Sequence, residues 1–384
     1  MILIIAIAVL LALPAWIFVI EVLAGLRPLK AAPSGHAAPF TVIIPAHNEA
    51  LGIGDTVLAV RAQLRRQDRL VVVADNCSDE TAALARRAGA EVIERKDKLR
   101  RGKGYALAFG RDFLRARPPA IAIVIDADCR PGLGALEALA SHASRTGHAV
   151  QGAYLFDPGA NQSPFVQIST FAFMVKNLIR QRGLQRLGAP ALLQGTGMAF
   201  PWPMFDRASL ATDHVVEDMV LGLDLVREGH VIQWTEAASI SSIAATQSAT
   251  VTQRTRWEHG SLATAVVCVP NLLWLSIRQR RPGIALLALD LLVPPLALLV
   301  VLLVGGALAG CLFAFAGVAA PLAITASALF AVAISVALAW AAEGRRYVSL
   351  QTLLRSPAYV LWKLPIYFRL LGKREKSWVR TERR

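Results

Sequence analysis

Residues 121–128 read IAIVIDAD, a short apolar run that ends on two carboxylates, Asp126 and Asp128. A run this short, rich in β-branched residues, predicts a strand covered on both faces. The same grammar occurs twice upstream. Phe40–Pro45 (FTVIIP) leads into the polar turn Ala46–Glu49, and Leu70–Ala74 (LVVVA) leads into a loop carrying Asp75, Asn76, Ser78 and Asp79. A helix over Glu80–Ala88 and a third strand over Glu91–Glu94 follow, then a basic, glycine-containing loop and another helix. Strands alternating with helices predict an α/β domain on a mainly parallel sheet. In such sheets ligands bind at the carboxyl ends of the strands, where both acidic loops fall.

Outside this core the composition changes. The 384 residues are 55% hydrophobic, and the mean hydropathy of +0.47 is high for a water-soluble protein. The excess collects at the two ends. Residues 1–20 carry no charge and the apolar run continues past Glu21 to Leu26, long enough for the ~30 Å hydrocarbon core. A cleaved signal peptide starts with basic residues and has a shorter apolar stretch. Here the basic residues Arg27 and Lys30 follow the run, which predicts an uncleaved anchor at 1–26. Two more apolar stretches, Ile284–Leu308 and Leu312–Ala342, predict a membrane pair within 284–342, joined around the uncharged Gly305–Gly310.

The net charge of +14 admits nucleic acid, anionic lipid or membrane topology as its cause, and its placement decides. Arg278, Arg280 and Arg281 precede the pair, and Arg345 and Arg346 follow it. With Arg27 and Lys30, all flanks put the central domain (38–260) on the cytoplasmic side of the cell membrane. Residues 261–281 read as an interfacial helix. The basic tail 343–384, with the aromatic-rich Pro357–Leu371, reads as cytoplasmic and interfacial, since a further crossing would put Lys373, Arg374 and Lys376 outside. Membrane lipids thus account for the charge, and no nucleic acid is expected. Cys77, Cys129, Cys268 and Cys311 form no CxxC pair and read as reduced thiols.

Several side chains can carry chemistry, each with a plain structural alternative. Asp126 and Asp128, two apart at a strand end, suit a hard divalent cation, Mg2+ or Mn2+, bridging phosphates; acidic pairs also end strands as turn or cap residues. Asp75 can hydrogen-bond a base or ribose, or close an Asx-turn. Glu49 is a ligand-edge acid or a helix N-terminal one. In Arg100–Gly104 (RRGKG), Lys103 can pair with a phosphate, although no Walker A spacing is present, or be a solvated loop cation. Glu217 and Asp218 offer a general base for an attacking hydroxyl, or acids in a first helical turn. Gln253, Arg256 and Trp257 (QRTRW) suit a diphosphate clamp and a stacking surface, or a basic interfacial helix.

Taken in order, VIIPAHNEA, VVADNCSDET, RGKGYALAFG, VIDADC, QGTGMAFP, VEDMVLGLDLVREG and QRTRW resemble the family 2 glycosyltransferases, the inverting group that includes cellulose, chitin-oligosaccharide and hyaluronan synthases. The stretches span about residues 40–260. The resemblance implies a GT-A, Rossmann-like nucleotide-sugar-binding domain. It places Pro45, Glu49, Asp75, Lys103 and Asp126 against a nucleotide-sugar, UDP-linked, with Asp75 at the uridine end. Asp128 becomes the metal ligand and Asp218 the base. Gln253, Arg256 and Trp257 become the diphosphate motif. Gly195, Thr196, Gly197 and Glu217 line the acceptor site. A single in-line displacement with inversion follows, onto a growing polysaccharide or lipid-linked acceptor, with export machinery as a possible partner.

One departure stands against the resemblance. Large processive synthases carry more membrane helices than the three read here, while QRTRW pulls toward processivity. A single-addition enzyme on polyprenyl-linked intermediates therefore remains open. So does a membrane nucleotidyltransferase, which leaves QRTRW unexplained, and an inactive scaffold, which leaves four aspartates unexplained.

Overall fold

The computed structural model describes residues 1–30, 35, 37–157, 163–212, 214, 216–243 and 247–370, without the side chains of 247–257, 366 and 368–370. An N-terminal helix α1 (Ile2–Gly25) leads to the α/β domain. There β1 (Phe40–Ala46), β2 (Arg69–Asp75), β3 (Glu91–Arg95) and β4 (Ile121–Val124) lie parallel in the spatial order β3-β2-β1-β4. The helices between and after them are α2 (Ile53–Arg61), α3 (Thr81–Arg87), α4 (Lys103–Leu114) and α5 (Ala135–Thr146). Alternate strand residues face opposite ways. Val42, Ile44, Val72 and Ile123 join the core under α2 and α5, whereas Ile43, Val71, Val73 and Val124 join the core under α4 that continues into the apolar helices.

The expectation of a mainly parallel sheet needs correction. The sheet has eight strands in the order β3-β2-β1-β4-β7-β6-β8-β5 and is mixed. The added strands are β5 (Cys129–Pro131), β6 (Ala149–Asp157), β7 (Met198–Pro201) and β8 (Ile232–Ile243). β7 runs antiparallel to β4 and β6, and β5 antiparallel to β8. The reason lies in the path of the chain. From β6 it passes through α6 (Pro164–Met174), a π turn (Val175–Arg180) and α7 (Gln181–Leu187), then re-enters the sheet at the carboxyl edge of β4. A strand entering at that edge must run back against β4.

Beyond β7 come α8 (Trp202–Arg207), α9 (Glu217–Arg227) and the long α10 (Gln247–Gln279). The C-terminal helices are α11 (Pro282–Leu292), α12 (Leu296–Phe315), α13 (Ala320–Ala342), α14 (Leu350–Leu353) and α15 (Ser356–Leu370). Among the described residues four helices are long and apolar enough to cross a membrane: Ile2–Gly25, Glu258–Gln279, Leu296–Phe315 and Ala320–Ala342. This is one more than the sequence reading counted. The apolar run at Ile284–Leu308 is not one helix. Pro294 and Pro295 cannot donate backbone hydrogen bonds, and the chain breaks there between α11 and α12. The helix connection also lies at 316–319, not at Gly305–Gly310. Gly310 serves packing instead: a Cβ there would lie 2.7 Å from the Leu322 backbone, so α12 and α13 touch where only glycine fits.

α10 runs along α9. A Cβ on Gly260 would sit 2.9 Å from Val216, Arg227 Nη2 donates to Cys268 Sγ at 3.1 Å, and Arg281 Nη1 donates to the Gly229 carbonyl at 3.0 Å. α1 is fastened at its C-terminal end, where Arg186 of α7 donates to the carbonyls of Ala24, Arg27 and Pro28. The Ala24 carbonyl is one that the helix end leaves without a partner, and those of Arg27 and Pro28 follow in the chain just past it.

Candidate active site

The strand order reverses between β1 and β4, and an open α/β sheet leaves its ligand crevice at such a switch point. Pro45 lies in β1 opposite Val73, one residue from the strand end. Asp126 follows β4. Gly195–Gly197 precede β7 and therefore lie at the same edge. The Asp126 N–H donates to Thr196 Oγ1 at 3.1 Å, and the Gly197 N–H donates to the Val124 carbonyl at 2.9 Å. Fully buried Gln151 holds this loop from β6, donating to the Thr196 carbonyl at 2.9 Å and accepting from the Gln194 N–H at 2.9 Å.

Lys103 opens α4 and links the acidic groups. Its ammonium pairs with Asp126 and donates to the Gly195 carbonyl at 2.7 Å. Gly195 has φ +86, and a Cβ there would lie 3.1 Å from Lys103 Nζ and 3.2 Å from Asp218 Oδ2. Only glycine suits both that conformation and that space. Lys103, Glu217 and Asp218 also line one small crevice with Leu210 and Leu221. Thus Asp218, 92 residues along the chain from Asp126, shares the cleft with it.

The cleft perturbs its own acids. Burial and the charge of Asp218 push Glu217 up to about 7. Burial also raises Asp218, with Lys103 opposing the shift. Burial alone would lower Lys103, but Asp126, Glu217 and Asp218 outweigh it and hold the ammonium above the usual lysine value. A raised carboxyl beside a fixed cation suits general-base work near neutral pH.

Asp126, Asp128 and Cys129 each bring one ligand atom within 4.8 Å of the others. The two carboxylates fit a hard cation such as Mg2+ or Mn2+. Cys129 is buried, and burial pushes its thiol well above the ordinary range, which disfavours the thiolate a softer metal would need.

Across β1, Asp75 ends β2, roughly 10 Å from β4 by strand spacing. Arg95 Nη1 donates to its Oδ1 at 2.7 Å, as does Asn76 Nδ2 at 3.0 Å. Arg95 also stacks over Tyr105, 5.6 Å from the ring centroid. The Glu49 N–H donates to Thr81 Oγ1 at 2.7 Å, lacing the loop after β1 to the start of α3. The sequence reading missed Arg95. Its strand position, directly across from Asp75 in the β2–β3 pairing, becomes visible only with the register.

The structure thus brings together Lys103, Asp126, Gly195, Thr196, Gly197, Glu217 and Asp218, with Asp128 two residues on and Pro45, Glu49 and Asp75 along the same edge. Gln253, Arg256 and Trp257 fall in the first turns of α10, and their side chains lie outside the described residues. The helix that carries them passes Val216 at Gly260, next to the Glu217–Asp218 turn.

The chain is similar to the mannosyltransferase PcManGT from Pyrobaculum calidifontis, solved with GDP-Man and Mn2+, at 20% identity over 96% of this chain and 95% of that one, with a TM-score of 0.55. It is also similar to glucosyl-3-phosphoglycerate synthase from Mycobacterium tuberculosis, solved with Mn2+, UDP and phosphoglyceric acid, at 19% identity over 60% of this chain and 78% of that one, with a TM-score of 0.42. No curated protein matches. Residues 41–200 match the family model "Glycosyl transferase family 2". Residues 121–342, more than half of the chain, match "Glycosyl transferase family group 2", so this chain belongs to the family 2 glycosyltransferases and its α/β domain is a GT-A fold.

Proposed function

We propose that the enzyme transfers a sugar from a UDP-linked donor, with inversion, to a polysaccharide or lipid-linked acceptor at the cytoplasmic face of the cell membrane. The observation that carries this reading is the meeting of Asp126, Lys103, Gly195 and Asp218 at one strand edge. The nucleoside binds along β1 with its base at Asp75. There the described hydrogen bonds occupy only Oδ1. One open acceptor oxygen beside two donors matches the N–H and carbonyl of uracil, whereas guanine would seek both carboxylate oxygens.

Asp126 and Asp128 would hold Mg2+ or Mn2+, which when bound neutralises the leaving diphosphate. Lys103 adds a fixed positive charge at the same place. Gln253, Arg256 and Trp257 extend the clamp from α10. Asp218 takes the proton of the acceptor hydroxyl, Glu217 and the Gly195–Gly197 loop bound the acceptor side, and positioning supplies much of the remaining acceleration. The basic flanks Arg27, Lys30, Arg278, Arg280, Arg281, Arg345 and Arg346 support a cytoplasmic domain. The hydrogen bond from Arg227 of α9 to Cys268 of α10, and that from Arg281 to the Gly229 carbonyl just past α9, support the interfacial placement of 261–281.

The test is nucleotide release by purified protein offered UDP- and GDP-sugars with Mg2+ or Mn2+. Asp218→Asn and Asp128→Asn should each lose about 10²–10⁴ in turnover with the fold retained. Normal turnover in either variant refutes the assignment.

A further inference from the structure

Behind the acid pair lies a set of polar side chains that the proposed reaction does not use. Asp126–Cys129 is a turn closed by its own backbone, with the Cys129 N–H donating to the Asp126 carbonyl at 3.0 Å. Buried Thr56 of α2 fastens the middle of that turn, its Oγ1 donating to the Ala127 carbonyl at 2.8 Å. The backbone is thus fixed, and the third turn position carries the half-buried side chain of Asp128.

Cys129 is fully buried, and its Sγ donates to Asp128 Oδ1 at 3.5 Å. The sulfur is itself held from two sides, because the Thr196 and Tyr154 hydroxyls are its hydrogen-bond partners. Tyr154 of β6 shares a 3.0 Å hydrogen bond with Ser242 of β8, and Ser242 lies directly across from Cys129 in the β5–β8 pairing. Thr196 Oγ1 accepts from the Asp126 N–H, so its own proton can go to the sulfur. One thiol therefore joins the Asp128 side chain to the Asp126 backbone and to two strands of the sheet.

We infer that Cys129 is a positioning residue, whose S–H holds the Asp128 carboxylate in the orientation in which it binds the divalent cation. The inference rests on the metal role proposed above for Asp126 and Asp128 and adds a residue to it. An ionised carboxylate has about four lone-pair sites, and the thiol engages one of those on Oδ1. An ammonium or guanidinium at this place would cancel charge that the cation needs. A neutral S–H orients the group and leaves its charge in place. The plain alternative is that Cys129 only fills space in the core it shares with Ile125, Tyr154 and Ile240. In that case a side chain of similar size without a donor serves as well.

The experiment titrates Mn2+ into the full chain in nanodiscs with saturating UDP, or GDP should UDP not bind, and reads the Kd from loss of the free-ion EPR signal. Cys129→Ser keeps a donor, whereas Cys129→Ala and Cys129→Val remove it and bracket the volume. The expected Mn2+ Kd stays within about threefold of the wild type for Cys129→Ser and rises roughly tenfold for the other two. Nucleotide affinity measured without metal should be unchanged in all three, which a general distortion of the cleft would not allow. Wild-type Mn2+ affinity in Cys129→Ala or Cys129→Val overturns the inference. So does an equal loss in Cys129→Ser. Cd2+ binding tighter than Mn2+ in the wild type, and lost in all three variants, also overturns it by making the sulfur a ligand. Failure of the wild type to bind Mn2+ would instead remove the metal reading on which the inference stands.

Discussion

Lys103 sets the electrostatics of the cleft, because its single positive charge is shared by Asp126, Glu217 and Asp218. Burial, and after it the charge of Asp218, outweighs the help of Lys103 at Glu217, which holds its proton up to about 7. Its folded value therefore lies above the ordinary 4.5, so the folded chain binds that proton more tightly than the unfolded chain does. The stability contributed by this group is fully present below 4.5 and is lost as pH rises through about 7. Glu217→Gln removes the penalty. Its Tm should match the wild type near pH 4.5 and exceed it by a few degrees well above pH 7. A Tm difference independent of pH would show that Glu217 is not the strained group. The acids themselves were legible in the sequence because strand-end and helix-start carboxylates are local features. Arg95 on Asp75, Cys129 beside the acid pair and Gln151 under the loop were not. Their meaning comes from strands that pair across long separations.

At the level of elements, the π turn joins the two halves of the chain. Arg180, its last residue, is buried and bridges Glu21 of α1 and Asp290 of α11. Arg182, in α7, similarly reaches Glu236 of β8 and Glu343 past α13, the latter at 2.8 Å. Removing one partner from a buried ion cluster leaves uncompensated charge and costs about 3–5 kcal/mol, whereas replacing the whole cluster by apolar groups is often neutral. Arg180→Met should therefore lower the Tm sharply in detergent, and the triple variant Glu21→Leu, Arg180→Met, Asp290→Leu should recover most of it. If the triple variant is the least stable, the cluster is a net stabiliser rather than a device that fixes how the helices dock. Short β-branched apolar runs showed β1 to β4, and long uncharged ones showed α1 and the apolar C-terminal stretch, because each is a local feature of composition. Composition did not show the break at Pro294–Pro295 as a helix boundary, or the role of Gly310. Both depend on which neighbour the helix meets, and a single segment does not record that.

For the whole molecule the question is which side of the bilayer holds the sheet. Arg281 hydrogen-bonds the Gly229 and His230 carbonyls, so the basic flank before α11 is physically attached to the GT-A domain. α12 and α13 have 20 and 23 residues, about 30 and 35 Å long, and meet in an uncharged turn at 316–319. If α12 and α13 cross a bilayer, a hairpin of that length whose basic flanks stay with the domain puts its turn on the opposite face. Val318→Cys, in a background with Cys311 replaced by Ser, should react with a membrane-impermeant maleimide on intact cells. Leu99→Cys, fully solvent-facing on the loop before α4, should react only after permeabilisation. Labelling of Leu99→Cys on intact cells would put the donor cleft outside, where nucleotide-sugars made in the cytoplasm could not reach it.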